Sequence, residues 1–580
     1  MLRTQPIAVR VPLALLVISL CLITAAWWWL GKPITLPSAP IDPAAKLDCV
    51  SYAPFRGEQT PFMHDLVISP QQIAADMVQL SKVTRCIRTY SIDNGLDKVP
   101  ELAAKVGLKV ILGVWIGRDR VKNAQLVDQA VSLVKNYPGV ITALIVGSEV
   151  LLRGEMTASD LAQIIRSAKA RVKIPVTYAD VWEFWERYRE LAADVDFVTI
   201  HILPYWEDFP VPAEAAAAHV DEIRERLAVD FPGKEILIGE AGWPSRGRMR
   251  DGALPSRIGQ ARFVGELLDR ARREHFRVNL FEAYDEPWKR QWEGTVGGSW
   301  GVFDGWSRRL KYPAGAAVSD YPFWKLQLTG GLIFSLCIFG AALLALKSRS
   351  SLPRLSSWVG VAISATVGGV LLGIGAEKML YESYGIGGWL LHGSLLGAGV
   401  AAPLLCSHAV LAKRELPTFL ELLGPRESPP LGWPKQILGL TLMATTLLAV
   451  VTALGLVFDG RWRDFPFASL TMAVVPFWIV TLSNRSRSGA RPAAEEVFAG
   501  LLTLAALYIV FNEGLQNWQS IWTSAIYVLL GATLWRVRAL RVAVMAPIMP
   551  AVAARAGLEP TTNLVEAAAG HAAESRLPEP

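Results

Sequence analysis

Apolar residues are unevenly placed along the chain, and that placement limits its folds more than any other feature. Crossing the roughly 30 Å hydrocarbon core of a bilayer takes about 20 consecutive, largely apolar residues in a helix. One such stretch runs from Val11 to Leu30, and none follows until Leu326. Seven then come in succession, at 326–346, 356–375, 388–411, 437–458, 466–483, 495–511 and 520–537. The expected order is an N-terminal transmembrane anchor (1–30), a large polar domain (31–325) and an all-α membrane bundle of about seven helices (326–540). A cleavable leader is the rival reading of the first stretch, since Thr24-Ala25-Ala26 is small, but Trp27, Trp28 and Trp29 suit an interfacial belt better. With 52% hydrophobic and only 19% charged residues among 580, an ordinary soluble enzyme is not expected. The net charge of +6 comes from interspersed signs and gives no basic stripe, so nucleic acid is not an expected partner.

Lys and Arg in short flanking segments resist translocation and so set orientation. With the N-terminus inside, fifteen fall on the inner side, among them Arg3, Arg10, Lys347, Arg354, Lys413, Arg414, Arg491 and Arg536. The short outer loops hold three, Lys378, Arg461 and Arg463. This asymmetry places residues 31–325 across a cytoplasmic membrane, with both termini inside. The tail, 541–580, rich in Ala, Pro and Glu, is expected to be disordered.

Within the polar domain, short β-rich runs alternate with helical patterns. The runs are Leu47–Ala53, Arg85–Ser91, Lys109–Ile116, Val140–Gly147, Pro175–Ala179, Asp196–Leu203, Glu235–Gly239 and Asn279–Ala283. Between the third and fourth, Leu126, Val127, Ala130, Val131 and Val134 recur at helical spacing. Eight βα units predict an α/β fold, a parallel (β/α)8 TIM barrel whose reacting groups stand just past the C-terminal strand ends.

At those ends stand two carboxylates. The fourth strand runs into Ser148-Glu149 and the seventh into Gly239-Glu240, three strands apart around the mouth. A retaining glycosidase needs such a pair: one carboxyl that protonates the leaving oxygen and one carboxylate that attacks the anomeric carbon, about 5–5.5 Å apart. A lone strand-end glutamate more often serves an ion pair; two, with Gly242-Trp243-Pro244 following the second, favour catalysis.

The segments Val146-Gly147-Ser148-Glu149-Val150, His201-Ile202-Leu203-Pro204-Tyr205-Trp206, Gly239-Glu240-Ala241-Gly242-Trp243-Pro244-Ser245 and Phe281-Glu282-Ala283-Tyr284-Asp285-Glu286-Pro287-Trp288-Lys289 resemble glycoside hydrolase family 17, the β-1,3-glucanase and glucanosyltransferase family. The resemblance runs from about Leu47 to Tyr312. It implies Glu149 as general acid/base and Glu240 as nucleophile. The membrane-anchored form is similar to bacterial proteins of periplasmic β-glucan synthesis, in which such a domain forms or remodels β-1,3 and β-1,6 linkages. The family has Asn before the acid/base; here the position is Ser148, a shorter donor toward the sugar 2-hydroxyl.

A glucan offers apolar C–H faces rimmed by hydroxyls, which aromatic platforms and polar side chains recognise. Eight tryptophans lie between 182 and 306: Trp182, Trp185, Trp206, Trp243, Trp288, Trp292, Trp300 and Trp306. About half are expected in sugar subsites, with Tyr205, Trp206 and Trp288 foremost and Trp243 beside the nucleophile. Arg88 and Tyr90 close strand two, and Glu286 with Lys289 closes strand eight; both sets either contact sugar or form a supporting ion-pair network. His201 reads as a hydrogen-bonding residue behind the carboxylates, because no second metal ligand lies at helical or hairpin spacing. No metal and no cofactor are expected. Cys49 and Cys86, on neighbouring strands, read as buried separate thiols, with a disulfide in an oxidising compartment as the alternative.

No Gly-rich loop opens a helix, so a nucleotide-sugar donor is not expected. Building glucan outside the membrane would reuse the energy of an existing glycosidic bond. The expected activity is transglycosylation on β-glucan. Endo-β-1,3-glucan hydrolysis and a glucan-binding or export module are the alternatives. The expected partners are a β-glucan, the lipid bilayer and a separate glucan synthase. In the bundle, Glu377, Lys378, His392, Glu495 and Glu496 are the ionisable residues nearest the spans, and most lie near span ends, where charge costs little. Arg461-Trp462 matches the end of a processive synthase motif without that motif's partners, and it is read as coincidence.

Overall fold

The computed structural model describes residues 5–36, 46–313, 316–348, 353–424, 431–483 and 489–538; the tail expected at 541–580 lies outside them. Eight parallel strands close a barrel in chain order. They are β1 (Cys49–Ser51), β2 (Cys86–Arg88), β3 (Lys109–Val114), β4 (Ile141–Ser148), β5 (Val176–Val181), β6 (Val198–His201), β7 (Ile236–Ala241) and β8 (Arg277–Leu280). The seam pairs β8 with β1, Cys49 opposite Asn279. All eight expected strands are present. Most are shorter than their apolar runs, because the flanking residues turn into loops once they leave the ladder.

The helices between strands are capped as local chemistry dictates. Asp119 accepts from the amides of Val121 and Lys122 at the start of Arg120–Asn136, while Thr157 and Ser256 cap Ala158–Lys169 and Arg257–Glu274. Each such cap contributes roughly 1 kcal/mol. Leu126, Val127, Ala130, Val131 and Val134 form the buried face of Arg120–Asn136, as their spacing predicts.

Alternation along the strands decides what fills the barrel. Its lower interior is apolar, with Cys49, Ile111, Ala143, Ile145, Phe197 and Leu237 packed together. Two residues further along, the inward positions turn polar: Ser51, Arg88, Thr199 and, on β8, Asn279 are all buried. On β6 the inward series is Phe197, Thr199, His201. The barrel therefore rests on an apolar floor and opens into a polar mouth.

Cys49 and Cys86 correct the sequence reading, for a disulfide joins them, with their Cα atoms 4.3 Å apart. The register explains it. Val50 pairs with Ile87, which sets Cys49 level with Cys86 on the interior face. Among the described residues Cys21, Cys337 and Cys406 are free.

The apolar stretches fold as helices Gln5–Leu30, Trp324–Leu344, Leu355–Glu382, Gly385–Ala412, Trp433–Phe458, Phe467–Ser483, Ala493–Glu513 and Trp518–Arg536. Among the described residues, six helices are long and apolar enough to cross a membrane. Phe467–Ser483 is a shorter apolar helix of 17 residues. Trp518–Arg536 turns Ser520, Thr523 and Ser524 inward, which makes it more polar. The first helix packs into the bundle: Trp27 is fully buried and its indole N–H points at the Gly369 carbonyl, 3.4 Å away, while Ser19 donates to Ala362.

The ionisable residues near helix ends are paired. Glu377 accepts from Gln327 at 2.8 Å, Lys378 pairs with Glu382, His392 lies 3.6 Å from Glu382, and Glu495 accepts from the Phe419 amide.

The barrel's mouth faces the bundle. Thr295 donates to Asp464 at 2.7 Å, and Asn517 donates to the Met249 carbonyl at 2.9 Å. The Met249 amide donates to Gln519, Arg248 pairs with Glu513, and the Arg246 guanidinium lies 3.4 Å above the Tyr381 ring. Segments beyond the C-terminal strand ends and the ends and connections of the apolar helices thus form one interface.

Candidate active site

β4 and β7 deliver their glutamates to the mouth by different backbone routes. The ladder between β4 and β5 is irregular beyond Ile145, and Glu149 adopts left-handed backbone geometry with φ of 54°. For a residue with a Cβ that conformation costs roughly 1–2 kcal/mol, and such strain is held where the surroundings fix it. The Glu149 amide donates to the Ala179 carbonyl at 2.8 Å, which anchors the turn. On β7 an irregularity beyond Ile238 leaves Glu240 in register with His201 of β6.

His201 lies between the two carboxylates. Its Nδ1 is 2.7 Å from Glu149 Oε1 and its Nε2 is 3.4 Å from Glu240 Oε1. One ligand atom from each of the three residues falls within 4.8 Å of the others. Burial pushes the imidazole down to about 3, so it is neutral under ordinary conditions. A neutral ring has one N–H and one lone pair. With the N–H on Nδ1, it donates to Glu149 Oε1, whether that carboxyl is ionised or carries its proton on the other oxygen.

The environments of the two glutamates differ. Glu240 is 6% exposed; Arg88 Nη1 donates to it at 3.0 Å and Tyr90 Oη at 2.8 Å. Burial, followed by the Glu240 charge, raises the Tyr90 phenol well above its ordinary value, so it stays a donor. Glu149 is more open, at 29% exposed. Removal from water raises its carboxyl above the ordinary range, against the opposing pull of Arg153, Arg88 and Lys289. Ser148 accepts from Arg88 Nη2 at 3.1 Å, so this serine is tied to the arginine that clamps Glu240. The trio could offer three ligand atoms to a cation. Arg88 already occupies Glu240, however, and its charge opposes a metal there.

Around the pair, the structure sorts the expected sugar-binding residues. Arg88, Tyr90, Ser148 and His201 all converge on the carboxylates. Trp206 and Trp288 are half-buried at the rim. Tyr205 and Trp243 are not platforms: both are fully buried. Tyr205 donates to the Arg248 carbonyl, and Trp243 packs beneath it and against Phe263. They follow strand ends, but the Trp243 ring turns against the helix Arg257–Glu274 and the Tyr205 ring is enclosed by Trp206, Trp243 and Trp300. Glu286 accepts from the Trp288 indole at 2.7 Å and Lys289 binds Glu282 at 2.7 and 2.8 Å, a supporting network of the kind that was the alternative to sugar contact. Phe62 adds an exposed edge against Trp288 and Trp292.

Sequence reasoning missed three carboxylates. Glu282 lies two residues past the end of β8, close to the strand-end positions of Glu149 and Glu240, and that was its available signal. Burial raises its carboxyl, with Lys289 opposing. Glu293, on the helix Arg290–Gly297, is raised by burial, then held down by Lys289 and pushed up by the charges of Glu149 and Glu240. No motif marks it. Asp180 on β5 is held by Tyr178, and burial lifts it to about 7.

Comparison with known proteins matches this region. The model described as the BtgE/BtgC glycoside hydrolase domain matches residues 49–301. The probable beta-glucosidase btgE of Aspergillus fumigatus is 30% identical over 226 residues, 38% of this chain and 39% of that protein. A glucan 1,3-beta-glucosidase of Candida albicans is 28% identical over 260 residues, covering 41% of this chain and 84% of that protein. The glycoside hydrolase family 17 beta-1,3-glucanosyltransferase from Rhizomucor miehei is 25% identical, with a TM-score of 0.41, covering 47% of this chain and 98% of that one. The chain spans about two fifths of the length of the btgE proteins it matches. The barrel that carries Glu149 and Glu240 is thus similar to the BtgE/BtgC glycoside hydrolase domain.

Proposed function

We propose that the chain is a membrane-anchored, retaining β-glucan transglycosylase that cleaves β-1,3-glucan and passes the cleaved segment to another glucan, forming or branching β-1,3/β-1,6-glucan. The observation that carries this reading is the carboxylate pair: Glu240 clamped by Arg88 and Tyr90, Glu149 raised by burial, and His201 bridging them within 4.8 Å. In the first step Glu240 attacks the anomeric carbon as the Glu149 proton passes to the departing oxygen, giving a glycosyl ester on Glu240. His201 Nδ1–H donates to Glu149 Oε1 throughout, which holds the carboxyl in place while the transferred proton leaves from and returns to its other oxygen. In the second step Glu149 takes the proton of an acceptor hydroxyl while that oxygen displaces Glu240.

An acceptor held beside the ester outcompetes water through its effective concentration. Phe62, Trp288 and Trp292, exposed or half-buried at the rim, suit that role. The anchor at 1–30, the barrel domain within 31–325 and the bundle within 326–540 belong to the same reading. The barrel then lies on the outer, periplasmic face of a bacterial inner membrane, where a separate synthase supplies glucan. The charge asymmetry of the loops supports it.

The test is to incubate the full-length protein with an end-labelled β-1,3-gluco-oligosaccharide and resolve product lengths and linkages by mass spectrometry and NMR. Products longer than the substrate are expected. Shorter products alone would mean hydrolysis, and an unchanged substrate would contradict the reading. Glu240→Gln is expected to lose activity by a factor on the order of 10^4 or more. Glu149→Gln should lose about 10^2- to 10^4-fold on glucan and far less on an aryl glycoside, whose leaving group needs no proton.

A further inference from the structure

The Arg461-Trp462 pair, which no synthase chemistry absorbs, lies against the barrel's rim. The two residues end a short turn, Gly460–Trp462, between the helices Trp433–Phe458 and Phe467–Ser483. The Trp462 ring meets the Trp206 ring edge-on, centroids 5.4 Å apart. The Arg461 guanidinium lies 5.7 Å from the Trp206 centroid and 5.2 Å from that of Trp462. Both tryptophans are half-buried and Arg461 is exposed, so the group keeps a face toward solvent.

Packed side chains link this aromatic group to Glu282, which feels the charge of Glu240. Trp206 stacks on Trp300, which meets Phe281, and the Lys289 ammonium lies 4.6 Å from the Phe281 centroid while it binds Glu282. A second route is shorter. Gly294, at φ of 66°, touches the turn so closely that a Cβ there would come within 2.4 Å of the Trp462 carbonyl oxygen. Its neighbour Glu293 is the carboxylate that feels the charges of Glu149 and Glu240. The turn is also held in place: Asp464 accepts from Thr295, and Arg463 pairs with Asp459 at 2.8 Å.

We propose that the Asp459–Asp464 segment of the helical bundle is one wall of the glucan cleft, with Trp462 and Trp206 forming a distal sugar subsite under Arg461. This rests on the β-glucan reading given above. Two edge-to-face indoles present a corner of apolar surface to the C–H face of a glucose unit, and a guanidinium beside them donates to ring hydroxyls. The bundle thereby acts directly in substrate binding, at a distance from the bond being broken.

A subsite far from the reacting bond shows itself as length dependence. The experiment measures kcat and KM of the full-length protein, wild type, Trp462→Ala, Trp462→Phe and Arg461→Ala, on β-1,3-gluco-oligosaccharides of increasing length and on an aryl β-glucoside. Trp462→Ala is expected to raise KM about 5- to 10-fold for long oligosaccharides, leaving kcat and the aryl substrate unchanged. Trp462→Phe should recover part of the loss, and Arg461→Ala should show a smaller effect of the same length dependence. An equal loss on every substrate would mean that the turn only holds the fold together, and no loss on any would mean that sugar does not reach it. Either outcome overturns the proposal while the β-glucan reading stands. A wild-type protein inactive on all β-1,3-glucans would overturn both.

Discussion

Glu149 and Glu240 are chemically the same residue given different tasks by their neighbours. Glu240 receives two donors, one of them a guanidinium, whereas Glu149 has a neutral imidazole and a partly open face. A general acid must hold its proton at working pH, and burial raises Glu149 toward that condition. Arg153 opposes the rise, because a nearby cation favours the ionised form. Arg153→Met should therefore raise the Glu149 pKa and move the alkaline limb of the kcat/KM profile to higher pH, with the acid limb unmoved. A pH series on β-1,3-gluco-oligosaccharide checks it, and a limb that moves down or stays would contradict the assignment. At this scale the sequence shows the two glutamates, because each ends an apolar run. Tyr205 and Trp243 mislead, since position after a strand end does not determine where a ring turns. The partner of Lys289 is likewise not set by nearness in sequence: the ammonium binds Glu282 although Glu286 is closer along the chain.

Elements were more legible than residues. Apolar runs separated by helical patterns suffice to count eight strands, because each βα unit repeats the same physics. Their ends were less legible, since pairing in the closed ladder, and not hydropathy, decides where a strand stops. The Cys49–Cys86 bridge depends on that register. It closes a separation of 37 residues, and a loop of that length stabilises by roughly 2–4 kcal/mol in the chain-entropy account. Cys49→Ala/Cys86→Ala should lower the unfolding temperature of the full-length protein without changing the lengths of its products. Mass spectrometry after alkylation under denaturing, non-reducing conditions should find Cys21, Cys337 and Cys406 labelled and the other two protected.

The arrangement of the whole molecule was half legible. One apolar stretch, a polar domain and seven more stretches can be read directly, and each stretch is a helix. That the strand-top face turns toward the bundle could not be read, because it rests on contacts such as Thr295 with Asp464 and Met249 with Gln519 that join distant parts of the chain. If the barrel is outside, a reporter active only after export should work when fused after residue 313 and fail after residue 347. The reverse pattern would overturn the orientation. The most direct test of the central claim, a carboxylate pair working through a glycosyl-enzyme, is the anomeric form of the first product. The measurement is a rapid proton NMR time course of the full-length protein on β-1,3-gluco-oligosaccharide, before mutarotation. With a glycosyl-enzyme, new reducing ends or linkages appear first as β; first products in the α form would mean inversion and would contradict the carboxylate-pair mechanism.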